Sequence, residues 1–291
     1  MLLPLALMIL SWLNQYSYTM LIGTLSMIEG PHGQPSTEGN ATYITSSLRN
    51  TINHLRTHVG NSFYLRGFAL VLVHDIARDT ILPALLPMNG NSPLNRHICS
   101  LISVAALANL QVLWVHIVIT RPSPKFLYQR LPSLNCWVRV IPIALLESIL
   151  CKLAVPITLL VELHLIQAVG KIDIDQNLDN SQAAAHVYAL AAVAPTLVKF
   201  WLALPARVVL VRIAASTVPD DDESIVPLDP RLKGGGTPLG MFDAWRKDSW
   251  ARACKIQTKG FIAGVAIFLL GQLVLPDFRS YVPFLPMWFD S

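Results

Sequence analysis

Five runs in this chain, Leu2–Ile28, Ile98–Ile119, Val140–Val161, Ala183–Leu204 and Ile256–Leu275, are apolar over a length that matches a lipid bilayer. Roughly 20 mostly apolar residues, rising ~1.5 Å each in a helix, cross about 30 Å of hydrocarbon. A sixth run, Phe68–Leu86, has the length but carries His74, Asp75, Arg78 and Asp79. None of the six alternates polar and apolar residues as an outer-membrane barrel strand does. With 14% charged residues and a mean hydropathy of +0.48, the chain lies far from the ~25% charge of soluble domains. The expected fold is all-α: a polytopic helical membrane bundle with six transmembrane spans and two amphipathic cytoplasmic helices.

Charge decides the status of the sixth run, because Lys and Arg accumulate in short cytoplasmic loops. If it spans, loops 29–67, 120–139 and 205–259 share one side and hold 16 of the 22 basic residues. The other side then holds Arg96, Lys171 and Arg279. If it does not span, the split falls to 13 against 7. Six spans, with both termini non-cytoplasmic, is the expected topology. Asp173, Asp175 and Asp179 outnumber Lys171 in the loop after the fourth span, which agrees. The apolar start, Leu2–Leu13, has no basic residue before it and reads as a retained span, not a cleaved signal peptide. Asn40-Ala41-Thr42 is a glycosylation sequence placed in the cytosol. Glycan attachment there in the native membrane would break this topology.

Two cytoplasmic stretches have the pattern of helices lying on a membrane. Ile44, Leu48, Ile52, Leu55 and Val59 recur every three or four residues, with Arg49, His54, Arg56 and His58 beside them. Met241–Cys254 mixes Phe242, Trp245 and Trp250 with Arg246, Lys247 and Arg252, a combination suited to the headgroup boundary. Membrane-surface contact is therefore expected at Arg49, Arg56, Trp245 and Trp250, with packing on the cytoplasmic span ends as the alternative. Between them, Pro219–Gly240 holds Asp220-Asp221-Asp222-Glu223 and Gly234-Gly235-Gly236, and its composition reads as a solvated linker. The cytoplasmic linker and amphipathic helix over 205–255 form the expected contact region for a protein partner.

The second span carries the chemistry of most interest. His74 and Arg78 are four residues apart, as are Asp75 and Asp79, so each pair shares a helix face. At mid-bilayer each charge costs about 2.5–3.5 kcal/mol, while each large aliphatic residue returns only about 0.3–0.6. Such charges must pair, protonate or face the bundle interior. Glu147 and Lys152 in the fourth span are the expected partners, giving an intramembrane polar cluster of His74, Asp75, Arg78, Asp79, Glu147 and Lys152. It reads as an ion path, proton relay or polar substrate pocket, or equally as an ion-pair cluster that fixes helix packing.

Signatures of other chemistry were sought. The chain has no HExxH, Gly-x-Ser-x-Gly or CxxC sequence. Asp75-x-x-x-Asp79 resembles one aspartate motif of membrane prenyltransferases, whose second motif this chain lacks. His116, His164 and His186 read as packed histidines, not ligands, and Cys99, Cys136, Cys151 and Cys254 have neither disulfide nor metal-ligand spacing. No metal, cofactor or nucleic acid is expected; the net charge of +4 suits anionic lipid.

The runs Ser47–Arg56 and Phe63–Gly67, then Trp114–Thr120 with Pro122–Lys125, then Pro205–Arg212 with Asp222–Asp229, and finally Phe242–Trp245 occur in a telling order. In that order the chain resembles a fungal (ascomycete) family of multi-pass integral membrane proteins, from about residue 45 onward. The resemblance implies six spans and lends no catalytic residue. Some relatives bear names suggesting ubiquitin conjugation, yet this chain has no conjugating domain and no His-Pro-Asn beside a cysteine. It departs from the family in the charge of its second span. The expected role is a membrane accessory or scaffold component. The alternatives are a membrane-embedded enzyme acting on a lipid or isoprenoid in secondary metabolism, or a small-solute or proton-coupled transporter. No internal repeat of the kind common in transporters is visible.

Overall fold

The computed structural model describes residues 2–31, 43–86, 92–172, 197–198, 201–219, 221–232, 239–245 and 247–274. Among these the protein is all-α, with no β-strand and two isolated antiparallel bridges. Helix α1 joins Leu2–Leu13, a π-helical stretch Asn14–Ile22 and Gly23–Ile28. Helix α2 is Leu48–Val59, and α3 runs from Phe68–Ile76 through a π turn, Ala77–Ile81, into Leu82–Leu85. Then come α4 (Pro93–Ile119), α5 (Leu134–Ile172), α6 (residues 201–215), α7 (Met241–Ala244) and α8 (Lys247–Val274).

Local chemistry explains the helix ends. Pro93 opens α4, where its missing N–H costs nothing and its fixed φ suits the first turn. Thr120 turns extended and closes α4, its hydroxyl donating back to His116 O at 2.7 Å. Pro142 and Pro156 remain inside α5, both on its exposed surface. Within α4 and α5, Leu94–Ile119 and Leu134–Val161 are long and apolar enough to cross a membrane, each with mean hydropathy 2.0. Only 44% and 39% of their apolar windows is buried inside the protein, so the larger part of each faces outward.

Helices α4 and α5 pack along each other, and α8 packs on the π stretch and last turns of α1. The α1–α8 crossing is close because Gly260 sits there: a Cβ would stand 2.7 Å from Thr19 Oγ1. Gln257 Nε2 donates to Thr19 O (2.9 Å) and Asn14 Nδ2 to Gly260 O (3.1 Å). The wider π pitch opens the regular backbone ladder, leaving carbonyls such as that of Thr19 able to accept from a neighbouring helix. The most deeply buried residues, Leu25 and Ile28 of α1, Ala108, Val112 and Ile119 of α4, Val140 of α5, and Val208, Val211 and Ala214 of α6, gather toward one end.

Gly67 opens α3 at φ 77°, in the left-handed region, with the Trp114 indole 3.0 Å from where a Cβ would lie. Gly67→Ala is expected to cost about 1–2 kcal/mol from the backbone alone. The crowding of Trp114 adds to this. A shift in the denaturation midpoint of the purified protein measures it, and an unchanged midpoint would refute the tight turn.

The structure corrects two readings of the sequence and, for α2, shows packing on the helix ends beside the exposed Arg49 and Arg56. Pro219–Gly240 is not wholly a solvated linker. Residues 221–232 form a strap against the helix ends, with Ile225, Val226 and Asp229 buried. The strap bridges Glu29 to Leu228 and Thr120 to Ser224. Its composition suggested solvation, but backbone bonds such as Ile225 N–H to Ile119 O (2.8 Å) and Gly30 N–H to Pro227 O (2.8 Å) hold it. Next, Met241–Cys254 is not one separate helix. Short α7 ends at extended Trp245, and α8 begins at Lys247 and runs on through the sixth apolar run. Finally, α2 packs on the helix ends: Thr51 and Leu55 are buried, and the His54 ring donates to Ile225 O at 2.7 Å. The expected fifth span, 183–204, lies outside the described residues except at 197–198 and 201–204. Asn40 and Arg246 lie outside them as well.

Candidate functional site

Polar chemistry concentrates at the end where the strap lies. Arg212, on α6, has no exposed surface. Its guanidinium donates to Asp229 Oδ2 (2.9 Å), Ser249 Oγ (3.0 Å), Met27 O (3.1 Å) and Ala244 O (2.7 Å). One side chain thus ties α1, the strap, α7 and α8 to α6. The planar fork of arginine is what allows several acceptors in fixed directions. Nearby, the buried Glu29 carboxylate accepts from the backbone N–H groups of Ile44 and Thr45 and from the Thr45 hydroxyl. Arg252 on α8 donates to Glu29 O (2.8 Å) and lies 4.1 Å over the Tyr43 ring.

A second set of contacts surrounds Thr120. Arg66 donates to the carbonyls of Ile117 and Thr120 at the C-terminal end of α4, where helix carbonyls lack intrahelical partners. Tyr16 donates to Arg66 O, fastening the same loop to α1. Arg130, also buried, donates to Thr120 Oγ1 at 3.3 Å. Burial, and after it the charge of Arg130, bring the Arg66 guanidinium down to about 10. On the outside, Arg121 pairs with Glu223 (2.8 Å), and Lys125 pairs with Asp221 and with Asp222 (2.8 Å).

The Lys125–Asp221 contact is a pH-dependent clasp. Hydrogen bonding to Lys125 holds Asp221 below its ordinary 3.8, and hydrogen bonding to Asp221 and Asp222 holds Lys125 above its ordinary 10.5. A depressed carboxylate gives stability that is present above its ordinary value and lost as pH falls through the folded value. A raised lysine gives stability lost as pH rises through its folded value. The clasp is therefore complete between about 3.8 and about 10.5 and opens beyond either limit. Hydrogen exchange of strap amides, after correction for intrinsic rates, should quicken on acidification in the wild type. Asp221→Asn should flatten that response, and equal acid response in both would remove the clasp from the account.

The six intramembrane candidates do not form one cluster. On α3, His74 Nδ1 lies 3.2 Å from Asp75 Oδ1, and Arg78 holds Asp79 through both oxygens (2.8 and 3.1 Å). Both of these contacts are between sequence neighbours, and the π turn from Ala77 shifts the register on which i,i+4 spacing depends. His74, Asp75 and Arg78 are buried, whereas Asp79 is exposed. Glu147 does not turn to α3. It pairs with Arg207 of α6 at 3.1 Å, and Arg207 stacks 5.7 Å above the Trp114 ring. Lys152 donates to Ser100 Oγ at 2.8 Å and is near enough to Arg78 for the two positive charges to interact. The rotation of α5 about its axis, which hydropathy does not encode, sends Glu147 and Lys152 to different neighbours.

The expected surface residues are placed as follows. Arg49 and Arg56 are exposed on the outer side of α2. Trp245 is exposed and Trp250 half-buried, their rings 6.3 Å apart, with Trp201 completing an aromatic group 6.4 Å from Trp250. Phe242, 91% exposed, stands beside them. His116 is buried and hydrogen-bonds Ala214 O (2.9 Å) and Thr217 Oγ1 (3.1 Å), while Cys136 donates to the same Thr217 oxygen. His164 Nδ1 bonds Leu160 O, and His186 lies outside the described residues. All four cysteines are buried, and none is in a disulfide. Among the described residues, no three His, Cys, Asp or Glu side chains converge as a metal site would require.

Sequence reasoning missed Arg207, Arg212, Glu29 and Asp229. A signal was present: Arg207 and Arg212 interrupt an apolar run, Leu202–Ala215, that reads as one continuous helix. None of the protein-family models and none of the curated proteins compared with this chain matches it.

Proposed function

We propose that the chain is a six-span integral membrane protein, both termini non-cytoplasmic, that serves as an accessory or scaffold component. In this reading it belongs with the ascomycete multi-pass proteins whose motif order it resembles. The observation that carries the reading is a division of the surface. Along α5, Leu153, Val155, Ile157, Leu159, Leu160 and Leu163 are exposed on several sides. The charged contacts at Arg212, Glu29, Thr120 and Lys125 collect at one end. Exposed aliphatic side chains around a helix suit lipid, and a rigid polar end suits a cytoplasmic docking face. Arg49 and Arg56 would meet anionic headgroups, and Phe242 with Trp245 would meet a protein partner or the headgroup boundary.

The test is the size of the assembly extracted in mild detergent from the native membrane. The wild-type chain should migrate in a larger complex than the purified chain, and Phe242→Ala with Trp245→Ala should release it without changing its unfolding midpoint. Migration as the purified chain alone would remove the scaffold reading.

One observation favours a second reading, an enzyme acting on a lipid or isoprenoid, or a proton-coupled transporter. Asp75 Oδ2 is buried without a hydrogen-bond partner, beside His74 and one turn from a π segment. π turns occur often at functional sites, and buried titratable groups in a span are commonly functional. A deletion strain with an altered metabolite or lipid profile, reproduced by Asp75→Asn at normal protein level, would put this reading first.

A further inference from the structure

Among the described residues, Arg66 and Arg130, which both donate to Thr120, have no carboxylate partner. Asp221 and Asp222 go to Lys125, and Glu223 goes to Arg121. Arg66 has two carbonyl oxygens, and Arg130 has the Thr120 hydroxyl. Arg130 is only 7% exposed, and among the described residues its Nε and Nη2 have neither an acceptor nor accessible surface. A buried donor left unmade costs about 1–3 kcal/mol, more when charged. Among the described residues, the open donors of Arg130 therefore lie beside the acidic strap with no carboxylate on them.

The fork that is left open, Nε with Nη2, is the edge by which arginine grips a carboxylate or phosphate with two parallel bonds. What lies over this region is the strap. Ser224 bridges Thr120, the Arg121 N–H donates to Glu223 O (2.7 Å), and Asp222 is close enough to His116, which also senses Arg130, for their charges to interact. Arg130 ends the short turn Leu127–Arg130, on which Leu127 and Tyr128 are exposed beside Phe126. The strap is fixed by backbone bonds, but the Asp221 and Glu223 carboxylates reach Lys125 and Arg121 through exposed ion pairs, and an anion of higher charge can displace these carboxylates.

We propose that Arg130 is the centre of a binding site for a phosphate-bearing anion, and that the acidic strap 221–223 closes it. Arg66 supplies the second positive charge and Thr120 a hydroxyl. Displacement of Asp221, Asp222 and Glu223 frees Lys125 and Arg121 to join them. The phosphate belongs either to a lipid headgroup, with Leu127 and Leu131 against its acyl chains, or to a free phosphate.

The test uses the full chain in phosphatidylcholine nanodiscs, with unfolding followed by tryptophan fluorescence. Inorganic phosphate is titrated against chloride at equal ionic strength, and a second arm replaces part of the phosphatidylcholine with phosphatidic acid. A raised midpoint in the first arm assigns free phosphate, and one confined to the second assigns a lipid headgroup. Arg130→Gln should weaken the effect about tenfold or more. Arg130→Lys, which keeps the charge and loses the fork, gives the same comparison if the Gln variant does not fold. The triple variant D221N/D222N/E223Q should bind more tightly than wild type. No midpoint shift in either arm for wild type and triple variant, or equal affinity in the Arg130 variants, overturns the site. The phosphate arm does not depend on a protein partner or on the six-span topology, so its failure is distinguishable from failure of the scaffold reading.

Discussion

Arg212→Met is expected to destabilise the protein by about 3–5 kcal/mol, the range for removing one partner of a buried ion pair. The loss has two sources. Asp229 would keep its buried carboxylate without the opposing charge, and Met27 O and Ala244 O would lose a donor. The double variant Arg212→Met/Asp229→Leu should recover the electrostatic part only, because the two carbonyls remain unserved. Arg212→Lys should recover little, since an ammonium cannot reach four acceptors in separate directions. Chemical denaturation of the purified full chain in detergent measures all three. A single-variant loss of ~1 kcal/mol or less, the scale of an exposed pair, would mean that the junction does not hold the four elements together.

Glu147→Leu is expected to have a similar effect, again about 3–5 kcal/mol, because Arg207 loses the buried carboxylate that it pairs with between α5 and α6. The pair is 3.1 Å apart, with side-chain exposures of 12% and 8%. Here the double variant separates the cases. Glu147→Leu/Arg207→Met removes both charges, so it should recover most of the single variant's loss. If the double variant is as damaged as the single, the pair is not an isolated electrostatic unit and Arg207 acts chiefly through Trp114, over which it lies.

The contrast between these two pairs shows what could be read from residues alone. Apolar length placed segments at 2–28, 98–119 and 140–161, inside the helices found over 2–28, 93–119 and 134–172, because it is a local property of consecutive side chains. Arg207 and Arg212 entered the sequence reading as loop charges. They lie within a helix spanning 201–215, and the apolar residues between them carried that signal. The strap was harder. Its prolines and acidic residues describe solvation, while its position depends on N–H and C=O bonds to Ile28 and Ile119, distant in sequence. On α3 the π turn at Ala77–Ile81, which residue spacing does not announce, changes which residues stack.

By itself the sequence determined that the chain is helical, where its main apolar segments lie, and that its basic residues crowd into three stretches, 29–67, 120–139 and 205–259. These follow from side-chain type and spacing, which act over a few residues. Only the tertiary structure decided which charge meets which: Glu147 with Arg207, Arg212 with Asp229, Lys125 with the strap. Those choices depend on how each helix is rotated and where its end meets a loop. Rotation is set by packing over the whole helix surface, and no single residue's spacing contains it.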